Sequence, residues 1–546
     1  MVTGGFLLPV CVIKQEIPPF NIILDLTRER FYGKVDSLYN AGGFSRHKQE
    51  QDMVTLSIYQ QAVIDWVKAH ITVPGALIVE AVAGSGKTFT IVKAAQLIPT
   101  SAKAVFLAFN KTIATELGNK LPEHVESKTL NALGWALCRY RLGKHITVER
   151  NKTRDLIQRH LPEEAREVMA ELLNIIAKAK SHGLTPPRMP TPRGTYEATD
   201  EKWQNLMDRY DIDANGCGEA TLITWANLIL RKGLEEKNVF DFDDQLYMPV
   251  ALDLPAWGYD WIIIDEAQDV SHVQRTLLRK FLKSNGKLIA VGDSNQAIYG
   301  FRGADSQSLA NIGRVFKADT LPLSISYRCP RKVIEIAQQF VPHIEASDTA
   351  EDGEILNPTN WDVESFSDDD LIVCRTTAPL IELAYKCIAE GKKVHVMGRE
   401  IGKGLVNVVK KAAGKRITTI EDFRPKLDAW SERMVRKADK DEAKIAAVQD
   451  KVDCINILSA GLDTIKQLTD AIEAIFSNNA SGTTLATVHK AKGLEAPRVF
   501  ILNPDGMPSK WARQEWQMQQ ERNLQYVAVT RALETLVYLP LEIVGA

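Results

Sequence analysis

The sequence has no apolar run approaching the roughly 18 residues a membrane helix needs, so no membrane segment is expected. Paired cysteines are missing as well: the seven present lie scattered from Cys11 to Cys454 without a CxxC spacing. That argues against a disulfide framework or a zinc ribbon and favours a reduced, cytoplasmic compartment. Association with the nucleoid follows if the source is bacterial, and a nuclear location stays open. An excess of one charge is also lacking. With a formal net charge of only −2, a polyanionic partner would have to be met by local basic surfaces, because the molecule is not a cation as a whole. The start, GFLLPVCVI, has no basic n-region, no small-residue cleavage pattern and a proline at position 9, so a signal peptide is not expected. Only 14 residues follow Ala532, so an attached nuclease is not expected. What is present is 546 residues, 45% hydrophobic and 25% charged, enough for two to four soluble globular domains.

The strongest positive signal is ALIVEAVAGSGKTFTIVKAAQ, residues 76–96. A strand-like apolar run leads into Ala81, Val82, Ala83, Gly84, Ser85, Gly86, Lys87 and Thr88, and a helical pattern follows. This is the strand, loop and helix order of a Walker A phosphate loop, with Ala81 in place of the first glycine. Gly84 and Gly86 let backbone N–H groups face phosphates, and the helix N-terminus favours the anion. Lys87 supplies a point charge to the β/γ-phosphates of ATP, and Thr88 a hydroxyl to Mg²⁺. The acidic partner is WIIIDEAQDV, residues 261–270. Its four apolar residues predict a strand buried on both faces, which places Asp265 at the carboxyl end to hold the metal. Glu266 is then positioned to orient and deprotonate water. Together the two stretches predict an NTPase.

DEAQ and four further stretches, VGDSNQAIYGFRGA, SYRCP, TVHKAKGLE and YVAVTRA, occur in one order along the chain. In that order they resemble the superfamily-one helicases of the UvrD/Rep/PcrA type, from about Leu56 to Leu536. The resemblance implies an α/β fold of two RecA-like P-loop domains with parallel sheets, ATP in the cleft between them and single-stranded DNA across their top. By the same resemblance Gln296 senses the γ-phosphate. Tyr299 and Phe301 lie near DNA bases with Arg302 beside them, a chemistry that tolerates any sequence. Gln60 or its neighbour Gln61 reads adenine, Gln60 fitting the spacing better. Asn110, Lys111 and Thr129 fall where the family contacts the DNA backbone, although helix capping would equally explain such polar residues. Phe109 directly precedes Asn110, so the family's aromatic-x-Asn-Lys order is shifted and Phe109 is not taken as a stacking residue. Asn131 stands where a histidine is usual. Tyr327 matches an adenine-stacking aromatic, Arg328 and Arg531 two arginines of the cleft, Glu495 a ribose contact, and Thr487 and His489 further DNA contacts. Planar, permanently charged guanidinium groups suit transferring phosphoryl charge.

The expected organisation is an N-terminal extension of unread role (1–52), a first core (53–134 and 241–318) interrupted by a helical insertion (135–240), and a second core (319–400 and 481–546) opening near TLPLSISYRCP. A shorter helical insertion (401–480) interrupts the second core. Between Lys403 and Lys451 it carries 13 Lys/Arg against 8 Asp/Glu, compatible with duplex DNA or with an ordinary solvated face. Asp241, Asp243 and Asp244 are read as the structural return into the first core, not as a metal site. The function this implies is an ATP-dependent, 3′-to-5′ DNA helicase and single-strand translocase, in repair, replication or recombination. Its partners would be single strands and single/double-strand junctions, RNA remaining open. The rivals are a translocase that displaces proteins with little duplex unwinding and a nucleic-acid-binding ATPase switch.

Overall fold

Strands covered on both faces read as unbroken apolar runs, and ALIV, AVFLA, WIII and KLIAV each become the centre of a strand in one parallel sheet. The computed structural model describes residues 55–541 except 211, 215–216, 301–302, 304–306, 415, 439–441 and 477–481. The N-terminal extension, Phe301 and Arg302 therefore lie outside the described residues. The first sheet consists of β1 (Gly75–Ala81), β2 (Ala104–Ala108), β3 (Val125–Thr129), β4 (Tyr259–Ile264), β5 (Leu282–Gly292) and β6 (Asp319–Leu323), in the order β6-β1-β5-β4-β2-β3 with every pair parallel. The second contains β7 (Glu354–Leu356), β8 (Leu371–Cys374), β9 (Val394–Val396), β10 (Thr483–Thr487), β11 (Ala496–Leu502) and β12 (Ala532–Leu539), ordered β7-β12-β11-β8-β10-β9 and again parallel. Each sheet buries an apolar cluster on both of its faces, the two-layered cover of RecA-like α/β domains. Among the described residues no helix is long and apolar enough to cross a membrane.

One expectation is corrected by the pairing. The second core was to open at residue 319, yet β6 pairs with β1 along Leu77–Ala81 and completes the edge of the first sheet. The edge position explains why Pro322 is tolerated, since proline has no N–H to donate. The chain leaves the first sheet only after Leu323, and Ile325–Ser326 pairs instead with Glu345–Ala346.

Both insertions are tied to their cores, by different means. In the first, Lys152 reaches Asp244 at 2.7 Å and Lys180 reaches Asp244 at 2.8 Å and Asp241, with both lysines and Asp244 buried. The acidic cluster read as a structural return is therefore held by two lysines of the insertion. In the second, helices Arg399–Ala413, Ile420–Lys437, Glu442–Ser459 and Ile465–Ile475 bury Leu405, Val409, Phe423, Ile455 and Ile472 in one cluster with Ile372, Leu380 and Leu485 of the second core. Asp450 of this insertion accepts from the backbone N–H groups of Thr377 (3.1 Å) and Ala378 (2.9 Å), capping helix Ala378–Ala389.

Candidate nucleotide and nucleic-acid site

β1 ends at Ala81, and the loop that follows turns through Gly84 (φ +72°) and Gly86 (φ +73°) before helix Lys87–Ala95 begins. These left-handed positions are open to glycine at no steric cost, and they turn successive N–H groups to one side. A Cβ on Gly84 would fall 2.5 Å from Arg328 Cβ, so the loop also packs directly against the second core. Ser85 is buried, and among the described residues its hydroxyl finds no hydrogen-bond partner. An orphaned donor within a glycine cradle is the chemistry a phosphate oxygen completes.

Opposite the loop, Lys87 Nζ lies 3.1 Å from Glu266 Oε1. Glu266 takes φ +51°, an uncommon conformation for a residue with a side chain, and so turns its carboxylate back toward the loop. Burial favours the neutral acid there, but the ammonium groups of Lys87 and Lys492 hold the Glu266 carboxyl well below the usual range. For Lys87 burial works against charge, and Glu266, Asp265 and Asp293 outweigh it to raise the pKa. Asp265, whose Oδ1 accepts from the N–H of Glu266 at 2.8 Å, is pushed up to about 6 by burial and by the neighbouring Glu266 charge. Thr88 is exposed on the first turn of the helix.

Beside the loop, Gln60 and Tyr327 come together at Gly86. Gln60 is buried and closes a capping box with Ser57, while Gln61 bonds Asp65 on its own helix at 2.8 Å. A Cβ on Gly86 would meet Gln60 Nε2 at 3.2 Å and Tyr327 Cδ2 at 3.9 Å. Tyr327 is half exposed, and its N–H donates to Gly84 O at 2.9 Å. Arg328 Nε pairs with Glu495 at 2.5 Å. Arg531 is buried and donates to Val527 O, Leu494 O and Thr530 Oγ1; burial and the charge of Arg328 bring its pKa down to about 10.

Four residues without a role in the sequence reading complete the site. Gln268 donates to Glu266 Oε2 and accepts from Asp293 N–H at 3.0 Å, joining the ends of β4 and β5. Asp293, fully buried, accepts from Gln296 Nε2 at 2.7 Å. Lys492, from the second core, donates to Asp269 Oδ2 (2.7 Å) and Gln296 O (2.9 Å), lies 3.4 Å from Glu266 Oε2, and sits 5.1 Å from the centroid of the Tyr299 ring. Tyr526 Oη accepts from the phosphate-loop N–H of Ala83 at 2.9 Å. A lysine two residues ahead of a matched Leu-Glu pair was a visible signal; its target, three motifs away, was not.

The strand end of the cleft is aromatic. Phe109 is 48% exposed and nearly parallel to Tyr299, with an interplanar angle of 10° and centroids 6.1 Å apart. β2 ends at Ala108, so Phe109 is the first side chain past a buried strand and has nowhere to go but out. The shifted motif spacing hid this. Tyr299 also donates to His489 O at 3.2 Å, linking the two cores. A cavity of 370 Å³ is lined by Phe109, Tyr299 and Gly303 together with Asp265, Glu266 and Asp269. Asn110 and Thr129 cap the helices that follow them, accepting from Ile113 N–H (2.9 Å) and Ala132 N–H (3.1 Å). Lys111 is exposed at the first of those helices, and Thr487 is buried at the end of β10.

The chain matches the UvrD/REP helicase N-terminal domain over residues 66–317 and the UvrD-like helicase C-terminal domain over residues 483–539, together more than half its length. It is 23% identical over 514 residues to the F-box DNA helicase protein 1 of Schizosaccharomyces pombe, covering 85% of this chain and 55% of that protein. To DNA helicase II of Escherichia coli it is 28% identical over 167 residues, or 30% of this chain and 21% of the relative. Against the ATP-dependent DNA helicase PcrA of Staphylococcus epidermidis the identity is 30% over 122 residues, covering 21% and 17%. The matched regions thus span from under a fifth to just over half of these relatives.

Proposed function

The chain belongs to the UvrD/Rep helicase family, and from that premise we propose that it is an ATP-dependent DNA helicase moving 3′ to 5′ along single strands and at single/double-strand junctions. The observation that carries this reading is Lys492. One ammonium ties the carboxylates of Glu266 and Asp269 to the backbone of Gln296 and to the ring of Tyr299, so nucleotide chemistry and strand contact would share one lysine of the second core.

Lys87, Thr88 and the N–H groups of residues 84–88 would hold the phosphates of ATP, with Thr88 and Asp265 holding Mg²⁺. The metal supplies positive charge at the phosphate oxygens. Gln60 and Tyr327 would flank the base, with Glu495 near the ribose. Lys87 cannot serve Glu266 and the phosphates equally, so its move to the phosphates leaves the Glu266 carboxylate free to take a proton from water. Arg328 and Arg531 bring charge from the second core, which makes turnover depend on the two cores closing. On the strand side Phe109 and Tyr299 would offer parallel π-faces to bases, and Asn110, Lys111, Thr129, Thr487 and His489 would be further contacts to the strand.

A translocase that unwinds little duplex is the second reading. It is favoured by the second insertion, whose helices bury their apolar faces on the second core. The test is ATP hydrolysis with and without single-stranded DNA or RNA, followed by strand displacement from duplexes tailed at either end. Strong stimulation by DNA and unwinding of 3′-tailed duplexes is expected. Stimulation without unwinding selects the second reading, and hydrolysis indifferent to nucleic acid overturns both.

A further inference from the structure

Helix Glu515–Val529 of the second core carries Gln520, Asn523 and Tyr526 at i, i+3 and i+6. At about 100° and about 1.5 Å per residue, that spacing puts all three on one stripe, roughly 9 Å from end to end. Buried polar groups need partners, and Asn523 is 4% and Tyr526 0% exposed. The partners come from the first core. Gln520 Oε1 accepts from Gly300 N–H at 3.1 Å, Asn523 Nδ2 donates to Ser294 O (3.3 Å) and Ala297 O (2.9 Å), and Tyr526 Oη accepts from Ala83 N–H at 2.9 Å. One helix therefore touches, in order, the residue after Tyr299, the turn that carries Gln296, and the phosphate loop. A Cβ on Gly300 would fall 3.0 Å from Gln520 Oε1 and 3.3 Å from Trp516 Cζ3, so glycine is what lets the chain come this close to the helix.

Of the three, Asn523 has the most definite task. Gln519 Nε2 donates to Asn523 Oδ1 at 3.0 Å, which aims the Asn523 NH₂ at the first core. The turn Ser294–Gln296 and the residue after it are then held from the second core by three carbonyls: Ser294 O and Ala297 O by Asn523, and Gln296 O by Lys492 at 2.9 Å. The side chain of Gln296 is held within the first core instead, by Asp293 Oδ2 at 2.7 Å. One core grips the backbone of the turn and the other its amide. A shift of one core against the other thus reaches Gln296 as a shift of its backbone against its side-chain anchor.

We infer that Asn523 is a positioning residue for hydrolysis: it sets the Gln296 turn so that a strand bound beside Tyr299 accelerates ATP turnover. Gln520 and Tyr526 keep the residue after Tyr299 and the phosphate loop on the same helix, so the three segments move as one. The inference rests on the functional reading above, with Gln296 meeting the γ-phosphate. Asn523 acts only through the turn.

The test is steady-state ATP turnover of the full chain with and without saturating oligo-dT, with KM for ATP measured alongside. Asn523→Leu fills the same space without a donor. Coupling between two ligands is typically about 5–150-fold, so this variant should lose at least about fivefold in stimulation by the strand, with KM for ATP within about twofold of the parent. In a Gln296→Ala background the same change should add nothing, because a residue acting through another is not additive with it. Gln520 supplies a milder, partly exposed probe. Gln520→Glu keeps an oxygen for the Gly300 N–H and should retain the parental stimulation, whereas Gln520→Leu should not. Parental stimulation in Asn523→Leu or in Gln520→Leu overturns the proposal. So does a KM that rises in step with the lost stimulation, or losses that add in the double variant. If turnover of the parent is indifferent to single strands, the functional reading has failed and this inference with it. If Gln296→Ala lowers the stimulation and Asn523→Leu does not, only the inference has.

Discussion

Where nucleotide is proposed to bind, Lys87, Asp265, Glu266, Asp293 and Lys492 form one paired cluster, with Asp265 and Asp293 buried and the other three partly so, whereas at the aromatic end Phe109 is 48% exposed and Tyr299 is partly buried, with their rings nearly parallel. The difference follows from what each ligand asks. Buried charge is tolerable only when paired, and each ammonium there pairs with a carboxylate of the same protein. A stacking ring asks only to be presented, and a position just past a buried strand presents it. The nucleotide end is therefore a dense set of mutual dependencies, and the aromatic end joins it where Lys492 sits 5.1 Å from the centroid of the Tyr299 ring.

That contrast can be broken by substitution, and the largest effects should come from the charged end. Lys87→Ala removes the phosphate cation and leaves Glu266 to Lys492 alone, so steady-state ATP hydrolysis should fall to background; near-parental turnover would dissolve the charged network as the catalytic centre. Next, Glu266→Gln should retain Mg²⁺–ATP binding by equilibrium dialysis while hydrolysing about 10²–10⁴-fold more slowly. Parallel loss of binding would make Glu266 a structural partner of Lys87 and not a base.

At the aromatic end the expected losses are smaller, and because the two rings stack on each other the double variant should not simply sum the single losses. Phe109→Ala and Tyr299→Ala should each weaken single-strand affinity by roughly 1–3 kcal/mol at matched salt, read by fluorescence titration. An unchanged dissociation constant for Phe109→Ala would mean that the exposed ring meets no base. The smallest change in affinity for either ligand alone belongs to Gln296→Ala, which removes the amide held by Asp293. It should instead erase the difference in strand affinity between ATP-like and ADP states, a coupling typically of about 1–3 kcal/mol. Titrations with a non-hydrolysable analogue and with ADP that still differ as in the parent would show that the two ends communicate by another route.

How much of this was legible in the sequence follows the same division. The phosphate loop could be read because its donors, its cation and its turn lie within eight consecutive residues, and their geometry is set locally. Asp265 and Glu266 were legible because an apolar run announces a buried strand and its end. Gln268, Asp293, Lys492 and Tyr526 were not, since each acts on a partner brought near only by the fold; Ala83 and Tyr526 are 443 positions apart. The strand at residues 319–323 was misassigned for a related reason. Its pattern identifies a strand but says nothing about which of two parallel sheets will take it, and only the pairing with β1 decides. Asn110 and Thr129 show the converse limit, since a capping side chain and a strand contact ask for the same residue types.

The carboxylate of Asp450 has a practical consequence for anyone trimming the molecule. Helix Ala378–Ala389 has no cap from its own N-terminal residue, Thr377, and relies on Asp450 for two N–H groups. Excising the second insertion would thus uncap a helix of the second core and strip cover from Leu380, Ile372 and Leu485 in the same stroke. The insertion is not a detachable module. A shortened enzyme would need a substitute acceptor, such as Thr377→Asp, and polar replacements on the uncovered face before it could be expected to stay in solution.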